Sequence, residues 1–257
     1  MNKFLTILFV LTGFFVNAQD TLVHTIDVSH RQEFFLERST GRSFTLVQYG
    51  YKLNGKHDIM PALIYQTRDG QNATQWILDA YPSYKKGYMF FSARYSNSIL
   101  FPRFVAIGEI YYNLPKAQEV SFGLRYINAV ESSNIYIITG TYGIYYGNWY
   151  TFVRPMMNIL SDGVGWSGMI VTRRYVGDGK TYFEGTFLKG QDAGTTRPVG
   201  AIENSFGLDT WLVRFKANIS LKKNWGLSIG TDYSVIDIPP SSNLKIMAVD
   251  LGLKKKF

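Results

Sequence analysis

Residues 210–221, "TWLVRFKANISL", alternate along most of their length: Trp211, Val213, Phe215, Ala217, Ile219 and Leu221 are apolar, and Thr210, Leu212, Arg214, Lys216, Asn218 and Ser220 lie between them. A period of two belongs to a β-strand with one apolar face, because successive side chains point to opposite sides. The pattern resumes after "KKN", with Trp225, Leu227, Ile229, Thr231 and Tyr233 on one face and Gly226, Ser228, Gly230 and Asp232 on the other. So short a connection predicts a hairpin. Residues 119–127, "EVSFGLRYI", divide in the same way, and so does the C-terminal stretch 243–257, which ends on Phe257 as the last position of a strand.

Further strands are predicted between punctuating turns at 20–30, 43–53, 57–68, 73–81, 87–96, 103–113, 134–146, 148–160, 164–175 and 180–188. The total is about fourteen, with twelve as the runner-up. No amphipathic helix interrupts them, so the chain is all-β. Strands of ten or more residues are long for a soluble sheet, where about 5 or 6 is usual, and match the 9–11 that a tilted membrane-crossing strand needs. Lipid offers no partner to a backbone amide, so strands cross it only as a closed barrel. A transmembrane antiparallel up-and-down β-barrel follows, with lipid on the apolar face and a polar inner face. An even strand count puts both termini on one side, expected to be the periplasm. The connections near 54–56, 82–86, 114–118, 147, 176–179 and 222–224 share that side, and the longer ones near 31–42 and 189–207 fall outside. Aromatic residues near the strand ends, Tyr81, Tyr88, Phe101, Tyr111, Tyr112, Tyr145, Tyr146, Trp149, Tyr150, Tyr175, Trp211 and Trp225, are expected at the headgroup level.

The N-terminus fixes the route. Lys3, the apolar stretch 4–15 and Val16-Asn17-Ala18 have the order of a signal peptide, with cleavage expected after Ala18. Twelve apolar residues are too few for a membrane-spanning helix, which needs about 20. The domain division is therefore 1–18 as signal and 19–257 as barrel, located in the outer membrane of a Gram-negative bacterium. Cysteine is absent, which rules out disulfides and thiolate metal sites. The formal charge of +8 agrees with an anionic ligand or lipid headgroup as partner; nucleic acid is not expected for an exported chain.

Charges sharpen the picture. A Lys or Arg facing lipid at mid-bilayer costs about 2–4 kcal/mol, so Arg94, Arg125, Arg154, Arg214 and Lys216 are expected to face the lumen. Asp79, Glu109, Glu119, Glu184 and Asp232 are their acidic counterparts. Such a set either braces the barrel or lines a path for a polar solute. Enzyme signals are weak: His24, His30 and His57 lack metal-site spacing, and "GWSG" at 165–168 lacks the spacing of a nucleophile elbow. No catalytic residue, metal or cofactor is assigned.

The segments "DAYP" (79–82), "LFP" (100–102), "GEIYYNLP" (108–115), "EVSFGLRY" (119–126), "YYGNWY" (145–150) followed by Arg154-Pro155, and "RRY" (173–175) occur in an order and spacing that resembles the YaiO family of outer-membrane β-barrel proteins. The end of the chain resembles the signal that the outer-membrane assembly machinery reads on a final strand, through Asp250, Gly252 and Phe257, with Lys255 departing from it. The resemblance implies a barrel in contact with outer-membrane lipids. It also implies a conduit or accessory for a polar solute or extracellular polysaccharide, since the family is similar to barrels found alongside such export systems. A structural or assembly barrel with a plugged lumen is the alternative, and an outer-leaflet hydrolase a more distant one.

Overall fold

A computed structural model of the chain describes residues 24–37, 41–53, 57–128, 134–160, 163–177, 179–191, 208–238 and 242–257. The strands are β1 (His24–Phe35), β2 (Gly41–Leu53), β3 (His57–Arg68), β4 (Gln71–Tyr81), β5 (Ser83–Tyr84), β6 (Gly87–Tyr95), β7 (Phe104–Leu114), β8 (Gln118–Asn128), β9 (Asn134–Tyr146), β10 (Trp149–Leu160), β11 (Gly163–Val176), β12 (Thr181–Gln191), β13 (Asp209–Ser220), β14 (Trp225–Ile238) and β15 (Ser242–Lys256). All pairings are antiparallel, each long strand with its neighbours in sequence, and two further pairings close the ring. β1 pairs with β15, Thr25 opposite Lys256, and β4 pairs directly with β6, Leu78 opposite Ala93. The two-residue β5 pairs only with β6, so fourteen strands form the closed wall. Closure gives every strand of the wall a partner on both sides, which is the condition for a sheet in lipid.

His24, where β1 starts, and Phe257 lie at one rim, the turn rim, with the short connections 82–86, 115–117, 147–148 and 221–224. The opposite, loop rim carries the Asp69–Gly70 turn between Arg68 and Gln71. Both turn residues have positive φ (49° and 75°), the two-residue geometry that matches strand twist and favours Asp-Gly. Two prolines sit within strands. The ladder skips positions around Pro61 in β3 and Pro155 in β10, as it must where an N–H is missing, and then resumes in register.

Alternation holds around the ring. Phe122, Trp76 and Phe215 are exposed on the outside, in the middle of their strands, and form part of the lipid-facing band together with Trp166 nearer the loop rim. Most boundaries differ from the sequence expectation by one or two residues, and two by more. β1 continues through Phe35, where a loop was expected from residue 31, and β12 continues to Gln191. "RQEFF" looks like a loop because it is polar and charged, yet Arg31 and Glu33 alternate with Gln32 and Phe34 and point inward. Residues 20–23 of the first expected strand, and 192–207 of the long connection, lie outside the described residues, as do 1–18.

The inner face departs from a purely polar lining. Near the loop rim it carries apolar side chains that are packed and buried. Val105, Ile107, Ile127, Ile135, Ile137, Met156, Leu188 and Leu212 form one cluster; Phe35, Ile236, Leu244 and Ile246 form another. A third joins Phe44, Ala62, Ile64, Ala73 and Ile77 to Leu100 and Phe101 of the 96–103 connection, which therefore folds into the barrel. Ser96 secures that connection by donating from its hydroxyl to the Thr74 carbonyl at 2.7 Å. The expectation of a polar inner face, which rests on a ring too wide for aliphatic side chains to fill, fails here because an inward-folded connection and large side chains take up the space.

Candidate functional site

Every charge assigned to the lumen from the sequence lies on the inward parity of its strand, and most are drawn into networks. Arg154 on β10 reaches past β9 and β8 to β7, with Nη2 at 2.9 Å from Oε1 of Glu109 and 2.9 Å from the Tyr111 hydroxyl, while Nε donates to Thr141. Ser121 donates to the same Glu109 oxygen at 2.5 Å. The room is made by Gly123: a Cβ there would stand 2.9 Å from Cγ of Glu109. Glu119 on β8 accepts from Tyr150 at 3.0 Å, and Gly143 between them has no space for a side chain, since a Cβ would stand 2.7 Å from the Tyr150 hydroxyl. Arg173 and Glu184 pair across β11 and β12 at 2.5 Å. Arg214 pairs with Asp232 across β13 and β14 at 3.1 Å. Arg94 donates to Ser92, whose cross-strand neighbour is Asp79. Arg125 faces inward between Ile107 and Ile137, its cross-strand neighbours.

The strongest network includes residues that the pattern reading left in a loop. Arg31 donates to Glu33 at 2.8 Å, to both oxygens of Asp232 at 2.7 and 3.0 Å, and to Asp250 at 2.7 Å. Arg42 on β2 pairs with the other Glu33 oxygen at 2.5 Å, and the side chains of both are fully buried. Buried charges of this kind persist only when each has partners, and here four strands supply them. Extending the alternation of β1 by four residues would have found Arg31 and Glu33.

The aromatic residues divide differently from the expectation. Tyr112, Tyr146, Trp149 and Trp225 face outward near the turn rim, where a membrane interface needs them, and Trp211 lies on the outer face toward the loop rim against Tyr233. Tyr81, Tyr88, Tyr111, Tyr145, Tyr150 and Tyr175 instead lie on the inward parity of their strands, and Phe101 is part of the apolar filling. Their partners are also inward. Tyr88 stacks on Tyr111 with centroids 4.3 Å apart, Tyr81 on Phe90 at 4.9 Å, and Tyr145 on Tyr150 at 4.2 Å. Tyr175 meets Tyr182 at 5.5 Å, and the Arg173 guanidinium lies within cation–π reach of Tyr150 and Tyr182. The result is an arc of rings and hydroxyls from β4 round to β12, on the turn-rim half of the lumen. Counting polar and apolar positions cannot separate it from a girdle, because both place Tyr near strand ends.

The three histidines lie apart, His24 at the turn-rim end of β1, His30 near its middle and His57 at the start of β3: His24 contacts Tyr49 and His30 contacts Thr45, while His57 accepts from the Ser83 amide. Residues 165–168 run through β11 and form no turn. Among the described residues no cluster of three metal-ligating side chains occurs, and no helix is long and apolar enough to cross a membrane. At the C-terminus Asp250 is held by Arg31, and Gly252 fits between Ser29 and Ser228. The Phe257 amide donates to the His24 carbonyl at 2.8 Å. Lys255 faces outward at the turn rim, its ammonium 4.9 Å from the Trp225 centroid and donating to the Lys223 carbonyl.

A closed fourteen-strand antiparallel ring, apolar outside and carrying paired charges within, defines a transmembrane β-barrel of the outer-membrane type. The sequence profile of the YaiO membrane beta barrel domain matches residues 23–193, and the chain belongs to that family. Solved structures with the same architecture include a bacterial polysaccharide outer membrane secretin (TM-score 0.56, 8% identity, covering 94% of this chain and 100% of that one). Omp33 of Acinetobacter baumannii is another (TM-score 0.52, 11% identity, 91% and 99% covered). An anion-selective porin from Comamonas acidovorans aligns at TM-score 0.48 with 9% identity over 92% and 99% of the two chains. At these identities the likeness is one of fold. No curated protein sequence matches this one.

Proposed function

We propose that the barrel is an outer-membrane conduit, or the barrel component of one, for a polar solute or extracellular polysaccharide, with the turn rim facing the periplasm. The observation that carries this reading is the inward arc of Tyr81, Tyr88, Tyr111, Tyr150, Tyr175 and Tyr182, interleaved with Glu109, Glu119, Arg154, Arg173 and Glu184. Aliphatic side chains fill space without needing polar partners, as in the clusters near the loop rim. Rings with hydroxyls beside paired charges offer the flat apolar faces and hydrogen-bonding edges that hydroxyl-rich solutes need. The apolar layer with Leu100 and Phe101 is the part that must move for passage. Similarity of fold to a polysaccharide secretin agrees with this reading. Cleavage after Ala18 and insertion through the Asp250, Gly252 and Phe257 signal complete it.

The buried Arg31–Glu33–Arg42–Asp232 network favours a second reading, a structural barrel with a permanently filled lumen. Flux separates the two. Liposomes carrying the mature chain are loaded with neutral and acidic oligosaccharides of graded length. Size-dependent release that weakens in Tyr88→Leu and Arg154→Ala supports the conduit; release no faster than from empty liposomes, with correctly folded protein, supports the filled barrel.

A further inference from the structure

The basic side of the lumen contains a cavity of about 160 Å³. Phe44 and Leu46 of β2 and Ile64 of β3 line it on one side, Arg214 and Lys216 of β13 on the other, and Ser29 of β1, cross-strand neighbour of Leu46, between them. Two more charges, Arg31 and Asp250, border it and are bonded to each other. Arg214 is engaged by Asp232. Lys216 differs: among the described residues its ammonium has no hydrogen bond or ion pair. Its cross-strand neighbour Glu184 is held by Arg173 at 2.5 Å. Arg31, Arg42, Arg214 and Lys216 thus stand against Glu33, Asp232 and Asp250, four cations to three carboxylates, and the surplus charge is the one at the cavity.

The geometry points to a binding site for one carboxylate-bearing ring, anchored by Lys216 and seated against Phe44, Leu46 and Ile64, with the Ser29 hydroxyl between the two sides. Three features set that ligand class. One surplus cation at the cavity calls for one anionic charge. An apolar wall opposite the cation calls for a body with C–H or aromatic faces, which inorganic phosphate lacks. The volume admits a single six-membered ring, since an apolar cavity of about 150 Å³ takes up benzene. A sugar acid and an aromatic acid both meet these conditions. The inference deepens the conduit reading by naming the chemistry of what is recognised inside it.

The test is a ligand-observed NMR titration of the full mature barrel in detergent with galacturonate, benzoate, methyl galactoside and inorganic phosphate. Saturable binding of galacturonate or benzoate at least tenfold tighter than that of the galactoside and phosphate is expected, with at least tenfold weakening in Lys216→Met. Leu46→Trp, which fills the cavity and leaves every charge in place, weakens it similarly and serves if Lys216→Met does not fold. Preference for galacturonate identifies a sugar acid and preference for benzoate an aromatic acid, either one supporting the site. Equal binding of the galactoside, binding unchanged in both variants, or no saturable carboxylate binding overturns it. Lys216-dependent binding in a barrel that passes no solute removes the conduit and leaves the site; solute flux without such binding removes the site alone.

Discussion

Arg154 and Glu109 join β10 to β7 through the interior of the barrel, guanidinium to carboxylate at 2.9 Å, with two strands between them along the wall. The pair is a chord across the ring; Arg154 also donates to the Tyr111 hydroxyl, and Ser121 on the intervening strand donates to Glu109. Removing the cation leaves a carboxylate with 4% of its side chain exposed. Arg154→Ala is expected to cost about 3–5 kcal/mol, as breaking a buried pair does. Urea-induced unfolding in detergent, followed by far-UV circular dichroism, measures the loss. Gly123→Ala is expected to lower stability through the same pair, because its new methyl would press on Glu109.

Gly143 is the counterpart at Tyr150. A methyl there would sit inside contact distance of the phenol, so Gly143→Ala is expected to displace the ring and break its bond to Glu119. The expected destabilisation is about 1–3 kcal/mol, the cost of leaving a buried acceptor unsatisfied. Tyr150→Phe, which keeps the ring and removes the hydroxyl, is expected to cost less than Gly143→Ala in the same unfolding experiment.

The outer surface is tested by a pair of neighbours on β8. Phe122 faces outward, 62% exposed, and Ser121 faces the lumen. Phe122→Arg is expected to destabilise the inserted barrel by about 2–4 kcal/mol, the midplane cost of a lipid-facing cation. The equilibrium is read by unfolding in lipid vesicles. An Arg at 122 with no effect on stability would mean that this face does not meet lipid.

These neighbours also explain what could be read in the sequence. The fold was legible because lipid on one side and a lumen on the other impose a strict period of two, visible in 119–127 and 210–233 without any tertiary information. The inward side of Glu109, Glu119, Arg154 and Asp232 was legible for the same reason. What lies inside depends on contacts between residues distant in sequence. Arg31 meets Asp232 across a separation of 201 residues, and Phe101 folds inward from a connection whose composition resembles any other. The tyrosine arc was misassigned to a girdle because parity near a strand end decides between lumen and lipid, and a one-residue error in a boundary does not reveal which side is polar there.

The mature chain is expected to begin at Gln19. Intact mass of the protein purified from outer membranes checks this directly, and a mass that includes residues 1–18 would contradict the signal-peptide assignment.

The central claim is that the lumen is a conduit obstructed on the loop-rim side by apolar packing. Single-channel conductance of the refolded mature chain in a planar bilayer tests it, beside a variant carrying Leu100→Ser and Phe101→Ser. The account predicts a low or intermittent conductance for the natural chain and a steady, larger, ohmic conductance for the variant, with an ion preference that shifts when Arg154→Ala is added. Both forms folded, inserted and equally silent would contradict it.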